Sequence, residues 1–84
     1  MATATKGESR AMTPSQEMES LWSRWWNLGA SRETSDGDDA KAYLLQADLN
    51  WQDALDATDM DDMVRSIRDA RICMRTARQY MDQA

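Results

Sequence analysis

Apolar residues recur at helical spacing in three stretches of the chain, and polar residues between these stretches mark the helix ends. The first stretch begins with Thr13-Pro14-Ser15-Gln16, a capping box with proline at the first helical position. The large apolar residues that follow fall within one arc of a helix: Met18, Leu21, Trp22, Trp25 and Trp26. Gly29 can adopt the left-handed backbone conformation that commonly ends a helix. The pattern predicts an amphipathic, tryptophan-rich helix over about 14–28 and a loop over 29–37.

Two longer helices are predicted after this loop. The second covers about 38–57, capped by Ser35 or Asp36, and the third covers about 60–82, capped by Thr58 or Asp59. Both have apolar seams in alternating three- and four-residue steps. The main seam of the second contains Ala40, Tyr43, Leu44, Ala47, Trp51, Ala54 and Leu55, and that of the third contains Met60, Met63, Ile67, Ala70, Met74, Ala77 and Met81, with Val64 beside it.

The short link between these two helices predicts an antiparallel hairpin in which residues whose numbers sum to about 118 face each other. In that register Asp48 lies near Arg68 and Arg71, and Asp38 and Asp39 lie near Arg78. The expected fold is therefore all-α, a three-helix arrangement in which the tryptophan-rich first helix lies across a long antiparallel hairpin. Residues 13–84 are expected to form a single helical domain. Residues 1–12 lack apolar periodicity and are predicted to be a flexible N-terminal tail.

The size of the chain points to association with a partner. A domain of 84 residues buries only roughly 60–65 % of its unfolded surface. Its single cysteine, Cys73, excludes an internal disulfide, and the absence of histidine excludes the usual zinc-finger ligand sets. We expect no cofactor and no metal site. A protein partner, or self-association as a homodimer, is the remaining source of added stability.

The net charge of −5 conceals an uneven distribution. Residues 33–62 carry ten acidic residues against one lysine, a net charge of −9, whereas residues 63–84 carry five arginines against two aspartates. Five closely spaced carboxylates, here called the acidic belt, are Asp53, Asp56, Asp59, Asp61 and Asp62. Asp53 and Asp56 lie near a helix C-terminus, where each negative charge costs about 0.3–1 kcal/mol. Because such a field steers association with basic surfaces, the belt is a predicted partner-binding site; solubility and helix capping are the alternative explanation.

Three apolar residues outside the seams are further candidates for partner binding. Trp26 lies at the edge of its helical arc, and tryptophan is enriched in binding hot spots. Leu45 and Leu49 lie on the side of the second helix away from its seam. The alternatives are that the tryptophans belong to the core and that the first helix or the tail covers the leucines.

The third helix also has an arginine edge, formed by Arg68, Arg71, Arg75 and Arg78. It could bind phosphates. Pairing with the aspartates of the second helix is the alternative, and the acidic character of the whole chain favours it.

Catalysis is not expected. The chain has no histidine base, no glycine-rich phosphate loop, and nothing in the sequence that would activate Cys73. No apolar run approaches the ~18 residues of a membrane span, and residues 1–12 lack the apolar core of a secretory signal, so we expect a cytoplasmic protein.

The favoured hypothesis is a small inhibitor or regulator, of the kind that phages and mobile elements encode, that mimics nucleic acid and engages a basic, nucleic-acid-binding surface of its target. One alternative is a non-catalytic accessory subunit anchored through Trp26, Leu45 and Leu49. A second alternative is a helical nucleic-acid binder that uses the arginine edge.

Overall fold

The computed structural model describes residues 13–84, which form three α-helices and one short 3-10 helix. The helices are α1 (Pro14–Trp26), α2 (Ser35–Asp56) and α3 (Met60–Gln83), and the 3-10 helix spans Gly29–Glu33. The described part contains no strand. The predicted all-α class, the helical hairpin and the tryptophan-rich first helix are confirmed. The predicted tail, residues 1–12, lies outside the described residues.

The capping box at the start of α1 forms as predicted. The Gln16 backbone N–H donates to Thr13 Oγ1 at 3.2 Å, and the Thr13 backbone N–H donates to Gln16 Oε1 at 3.1 Å. The helix ends at Trp26, two residues earlier than predicted, because the Leu28 N–H bonds to the Trp25 carbonyl three residues back, at 3.1 Å, instead of to the Arg24 carbonyl four residues back. Gly29 has a φ of 63° and so occupies the left-handed region that the sequence required of it.

The loop predicted over 29–37 is wrong, because most of this segment is helical. Its first half is the 3-10 helix, and α2 begins at Ser35, three residues earlier than predicted. Thr34 is the cap rather than Ser35 or Asp36: its Oγ1 accepts a bond from the Gly37 N–H at 3.0 Å and donates to the Ser31 carbonyl at 2.6 Å. Thr34 therefore joins the 3-10 helix to α2, and the two expected caps become first-turn residues of that helix.

The hairpin formed by α2 and α3 has a register different from the one predicted. Tyr43 stacks on Tyr80 with ring centroids 5.6 Å apart, and Asn50 Nδ2 donates to Cys73 Sγ at 3.6 Å. Both pairs of residue numbers sum to 123 rather than 118. The link explains the offset, since Ala57 and Asp59 are extended, with ψ angles of 135° and 134°. At no more than about 3.3–3.6 Å per residue, the three linking residues can span up to about 10 Å between the end of α2 and the start of α3.

All three helices contribute to the core. Met18, Leu21 and Trp25 of α1 pack against both helices of the hairpin, and Leu44 and Met74 are the largest fully buried side chains. The remaining buried members of this cluster are Ala40, Ala47, Ala77 and Met81. The alanines allow the backbones of α2 and α3 to approach closely, while the larger side chains fill the space beneath α1.

The ion pairs predicted between α2 and α3 do not form within residues 13–84. Asp48 accepts a hydrogen bond from Trp22 Nε1 at 3.1 Å. Arg71 and Arg78 approach Glu17 of α1, at 3.9 and 2.9 Å. The prediction failed because it considered the hairpin alone, whereas α1 lies across it and supplies the polar partners of both helices.

Candidate partner-binding surface

The five carboxylates of the acidic belt lie at the corner where α2 ends and α3 begins, and all five side chains are exposed. The last turn of α2 contains no basic residue to offset Asp53 and Asp56. Asp59 occupies the cap position of α3, yet its side chain makes no capping hydrogen bond. Helix capping therefore does not account for the carboxylates of Asp53, Asp56 and Asp59.

Little of this negative charge is neutralised within the described chain. Asp62 lies 3.8 Å from Arg65, and both side chains are exposed, so the pair contributes at most about 1 kcal/mol. The other four members of the belt have no basic partner within 4.0 Å among residues 13–84. The corner consequently keeps a concentrated negative field facing solvent.

The three apolar candidates are also exposed, to 61 % for Trp26, 48 % for Leu45 and 59 % for Leu49. Lys41, Leu45, Leu49 and Asp53 are spaced four residues apart and so follow one ridge of α2. Trp26 and Lys41 line a shallow cavity of about 470 Å³, together with Trp25, Arg32, Glu33 and Asp38. Trp26 thus lies at one end of this ridge, here called the α2 edge, and Asp53 of the belt lies at the other.

The tryptophans of α1 divide between core and surface. Trp25 is buried, and its Nε1 donates to the Gly37 carbonyl at 2.8 Å. Trp22 is half-buried and is held by its bond to Asp48. Trp26 faces outward beneath the guanidinium of Arg32, which lies 4.8 Å from its ring centroid. The alternative of a purely core cluster therefore holds for Trp25 and in part for Trp22, and Trp26 alone remains free to contact a partner.

The arginine edge takes part in the contact between α1 and α3. Glu17 accepts from Arg78 Nη2 at 2.9 Å and lies 3.9 Å from Arg71, while Arg24 of α1 pairs with Asp82 of α3. Pairing was the expected alternative to phosphate binding. It occurs for Arg71 and Arg78, with a glutamate of α1 rather than the aspartates of α2, while Arg68 and Arg75 have no carboxylate partner within 4.0 Å among residues 13–84. The first helix does not cover Leu45 and Leu49, so that part of the alternative proposed for them is wrong; the tail lies outside the described residues.

A further apolar surface was not recognised from the sequence. Residues at the link end of the hairpin were assigned to the buried seams, yet Leu55 is 60 % and Met60 65 % exposed, and Val64 is also exposed. Trp51, Met63 and Ile67 are only partly buried. We call these six residues the open groove. The lengths of the predicted helices could have revealed the open groove, because the first helix is much shorter than the third and cannot cover all of it.

The surroundings of Cys73, the single thiol, do not activate it as a nucleophile. Burial of Cys73 raises its pKa, the nearby charge of Asp69 raises it further, and the hydrogen bond from Asn50 lowers it. The net effect is a raised pKa, which leaves the thiol protonated near neutral pH, whereas nucleophilic cysteines need a lowered pKa.

The comparisons with known proteins identify no relative, so the function has to be inferred from the geometry of the chain itself. No family model matches the sequence, and neither the curated proteins nor the solved structures contain a match. Within residues 13–84, every helix is too short or too polar to cross a membrane.

Proposed function

We propose that this protein acts by binding a protein partner through the acidic belt, as a small inhibitor or regulator that engages a basic surface of its target. The observation that supports the proposal is the set of four exposed carboxylates at one corner of the fold that have no ion-pair partner within residues 13–84: Asp53, Asp56, Asp59 and Asp61. Surfaces that hold nucleic acid are the basic surfaces such a corner fits, since they also recognise closely spaced negative charges. Binding of this kind needs no catalytic residue, and the cytoplasm is its proposed location.

The cost of placing the carboxylates here supports a binding role. Asp53 and Asp56 add negative charge to the negative end of the α2 dipole, which disfavours folding by about 0.3–1 kcal/mol each. A basic partner would relieve this repulsion on binding. Its approach would also be accelerated by the field, and the acceleration would fall steeply as salt increases.

Two variants with matched charge test the proposal. The first replaces Asp53, Asp56, Asp59 and Asp61 by asparagine, and the control replaces four exposed carboxylates at the other end of the molecule: Glu19→Gln, Glu33→Gln, Asp38→Asn and Asp39→Asn. Each set removes four negative charges. The immobilised wild-type protein is used to capture its partner from the native host, and the purified partner is then titrated with all three proteins at several salt concentrations.

We expect the belt variant to lose most of its affinity and most of its salt dependence, and we expect the control to bind as the wild type does. Equal weakening by both variants would mean that only the net charge matters. If the belt variant binds the partner as tightly as the wild type does, the proposal is wrong.

The second candidate function is that of a non-catalytic accessory subunit anchored by the α2 edge. The exposure of Trp26, Leu45 and Leu49 along this edge favours it. Replacing Leu45 and Leu49 by glutamine keeps every charge and removes the apolar part of the edge. A complex that survives this change but not the belt variant would exclude the second candidate.

A further inference from the structure

The hairpin is too long for the helix that covers it. At about 1.5 Å per residue, the 13 residues of α1 span about 20 Å, whereas the 24 residues of α3 span about 36 Å. The apolar residues of α1 pack on Leu44 and Met74 and their neighbours, toward the end of the hairpin that holds the N-terminus of α2. The ion pairs of α1 with α3 lie at Arg71, Arg78 and Asp82, so about 16 Å of α3, from Met60 to Arg71, extends past these contacts.

The open groove is the continuation of the surface on which α1 packs. At about 100° per residue, Trp51 and Leu55 point within about 20° of the direction of Leu44 along α2. On α3, Ile67, Met63 and Met60 point within about 40° of the direction of Met74. Trp51 also packs against the buried core cluster, which joins the covered and uncovered parts of this surface. The groove thus has the apolar character of a helix-docking site but lacks a helix within the described chain.

The extended link increases this exposure. Because Ala57 and Asp59 carry the chain beyond the end of α2, the first turn of α3 projects past its neighbour. Met60 and Val64 lie in this projecting part of α3, and both are more than half exposed. Groups of exposed apolar side chains of this kind mark interaction sites more often than scattered single residues do.

The charges around the groove select among possible occupants. Residues 51–68 carry five carboxylates against two arginines, a local net charge of −3. A second copy of this chain would bring a second acidic corner toward the first. Residues 1–12 offer only Met1 and Met12 as large apolar side chains. An apolar helix face flanked by lysine or arginine satisfies both the groove and its rim.

We propose that the open groove binds an amphipathic helix of about three turns from the partner protein, with basic residues flanking its apolar face. This inference rests on the proposed function and specifies the class of partner. The bound helix packs against Leu55, Met60 and Ile67 in the way that α1 packs against Leu44 and Met74. Its basic flanks approach Asp56 and Asp59 at the link, whereas Asp53 lies on the α2 edge, on the opposite side of α2.

The test uses two labelled synthetic peptides with the same helical leucine pattern, one with lysine flanks and one with glutamate flanks. Their binding to the full chain is measured by fluorescence anisotropy. The groove variant is Leu55→Gln with Met60→Gln, and the control is Ile72→Gln, on the opposite face of α3. All three positions are exposed, so both variants should fold, and both keep every charge.

The lysine-flanked peptide should bind the wild type, and the glutamate-flanked peptide should bind at least about tenfold more weakly. The groove variant should lose about tenfold or more in affinity for the lysine-flanked peptide, and the control should stay within about twofold. Equal affinities of wild type and groove variant, or a loss confined to the control, would overturn the inference.

Other occupants give different results, each of which also overturns the inference. A wild-type dimer that the groove variant converts to a monomer in sedimentation equilibrium would show that a second copy fills the groove. Tighter peptide binding after Ala4→Gly, Ala11→Gly and Met12→Gly would show that residues 1–12 fill it. If the captured native partner no longer binds the belt variant but still binds the groove variant, the proposed function stands and the groove inference fails. If the partner fails to bind only the groove variant, the acidic belt has no role in binding.

Discussion

Gly37 gives the sharpest test of the structure, because helix propensity and packing predict opposite effects of replacing it with alanine. It lies in the first turn of α2, where alanine would ordinarily be favoured over glycine by up to about 1 kcal/mol. The residue is buried, however, and an added Cβ would lie 2.8 Å from both the Cα and the carbonyl oxygen of Arg32 and closer still to the Ser31 carbonyl oxygen. These are backbone atoms of the 3-10 helix, so they cannot rotate away as a side chain could.

The magnitude follows from what must move. Relieving the contacts requires a shift between α2 and the 3-10 helix, and overpacking of this kind costs about 1–3 kcal/mol. The shift would also disturb the bonds that Gly37 makes with Thr34 and Trp25. We expect a net loss of about 2 kcal/mol, equivalent to a fall of about 10 °C in Tm for a chain of this size.

The assay is urea unfolding followed by circular dichroism, with Gly29→Ala as the comparison. Gly29 has a φ of 63° but no atom within 4 Å of an added Cβ, so alanine there should cost only the conformational strain of about 1–2 kcal/mol. The combined near-ultraviolet signal of the tryptophans, to which the buried Trp25 contributes, should change in the Gly37 variant and not in the Gly29 variant. A Gly37→Ala protein as stable as the wild type, or more stable, would refute the close packing of α2 against the 3-10 helix.

Two further predictions concern the acidic belt and the thiol. Replacing Asp53 and Asp56 by asparagine should raise the free energy of unfolding by about 0.5–2 kcal/mol in total at low salt, because both carboxylates oppose the α2 dipole; a lower urea midpoint would contradict this. Cys73 should react with a disulfide reagent more slowly in the folded protein than in concentrated urea at mildly alkaline pH, because burial and Asp69 raise its pKa. Asp69→Asn should speed the folded-state reaction, and equal rates with and without urea would show that the thiol is not protected.

Local features of the sequence predicted local features of the structure. The Thr13 capping box forms through contacts three residues apart, so its outcome needed no knowledge of the rest of the fold. The identity of the α2 cap could not be predicted in the same way. Thr34, Ser35 and Asp36 are all good caps, and Thr34 takes the role while also bonding to Ser31 in the preceding 3-10 helix.

The candidate binding surface could likewise be predicted only in part from the sequence. The acidic belt is contiguous along the chain, so its position at one corner follows from where the two helices meet. The α2 edge required the fold to bring Trp26 of α1 beside Lys41 of α2. The open groove was missed because an apolar seam has the same pattern whether or not another helix covers it.

The sequence by itself determined the three helices and their apolar faces, because periodicity and capping act over a few residues. Only the tertiary structure decided the register of the hairpin, the pairing of Glu17 with Arg71 and Arg78, and the extent of the hairpin that α1 leaves bare. The physical reason is that these features depend on how far an extended link of three residues displaces one long helix relative to another. The register shift of five residues, about 7.5 Å along a helix, changes which side chains meet without changing the apolar pattern of either helix.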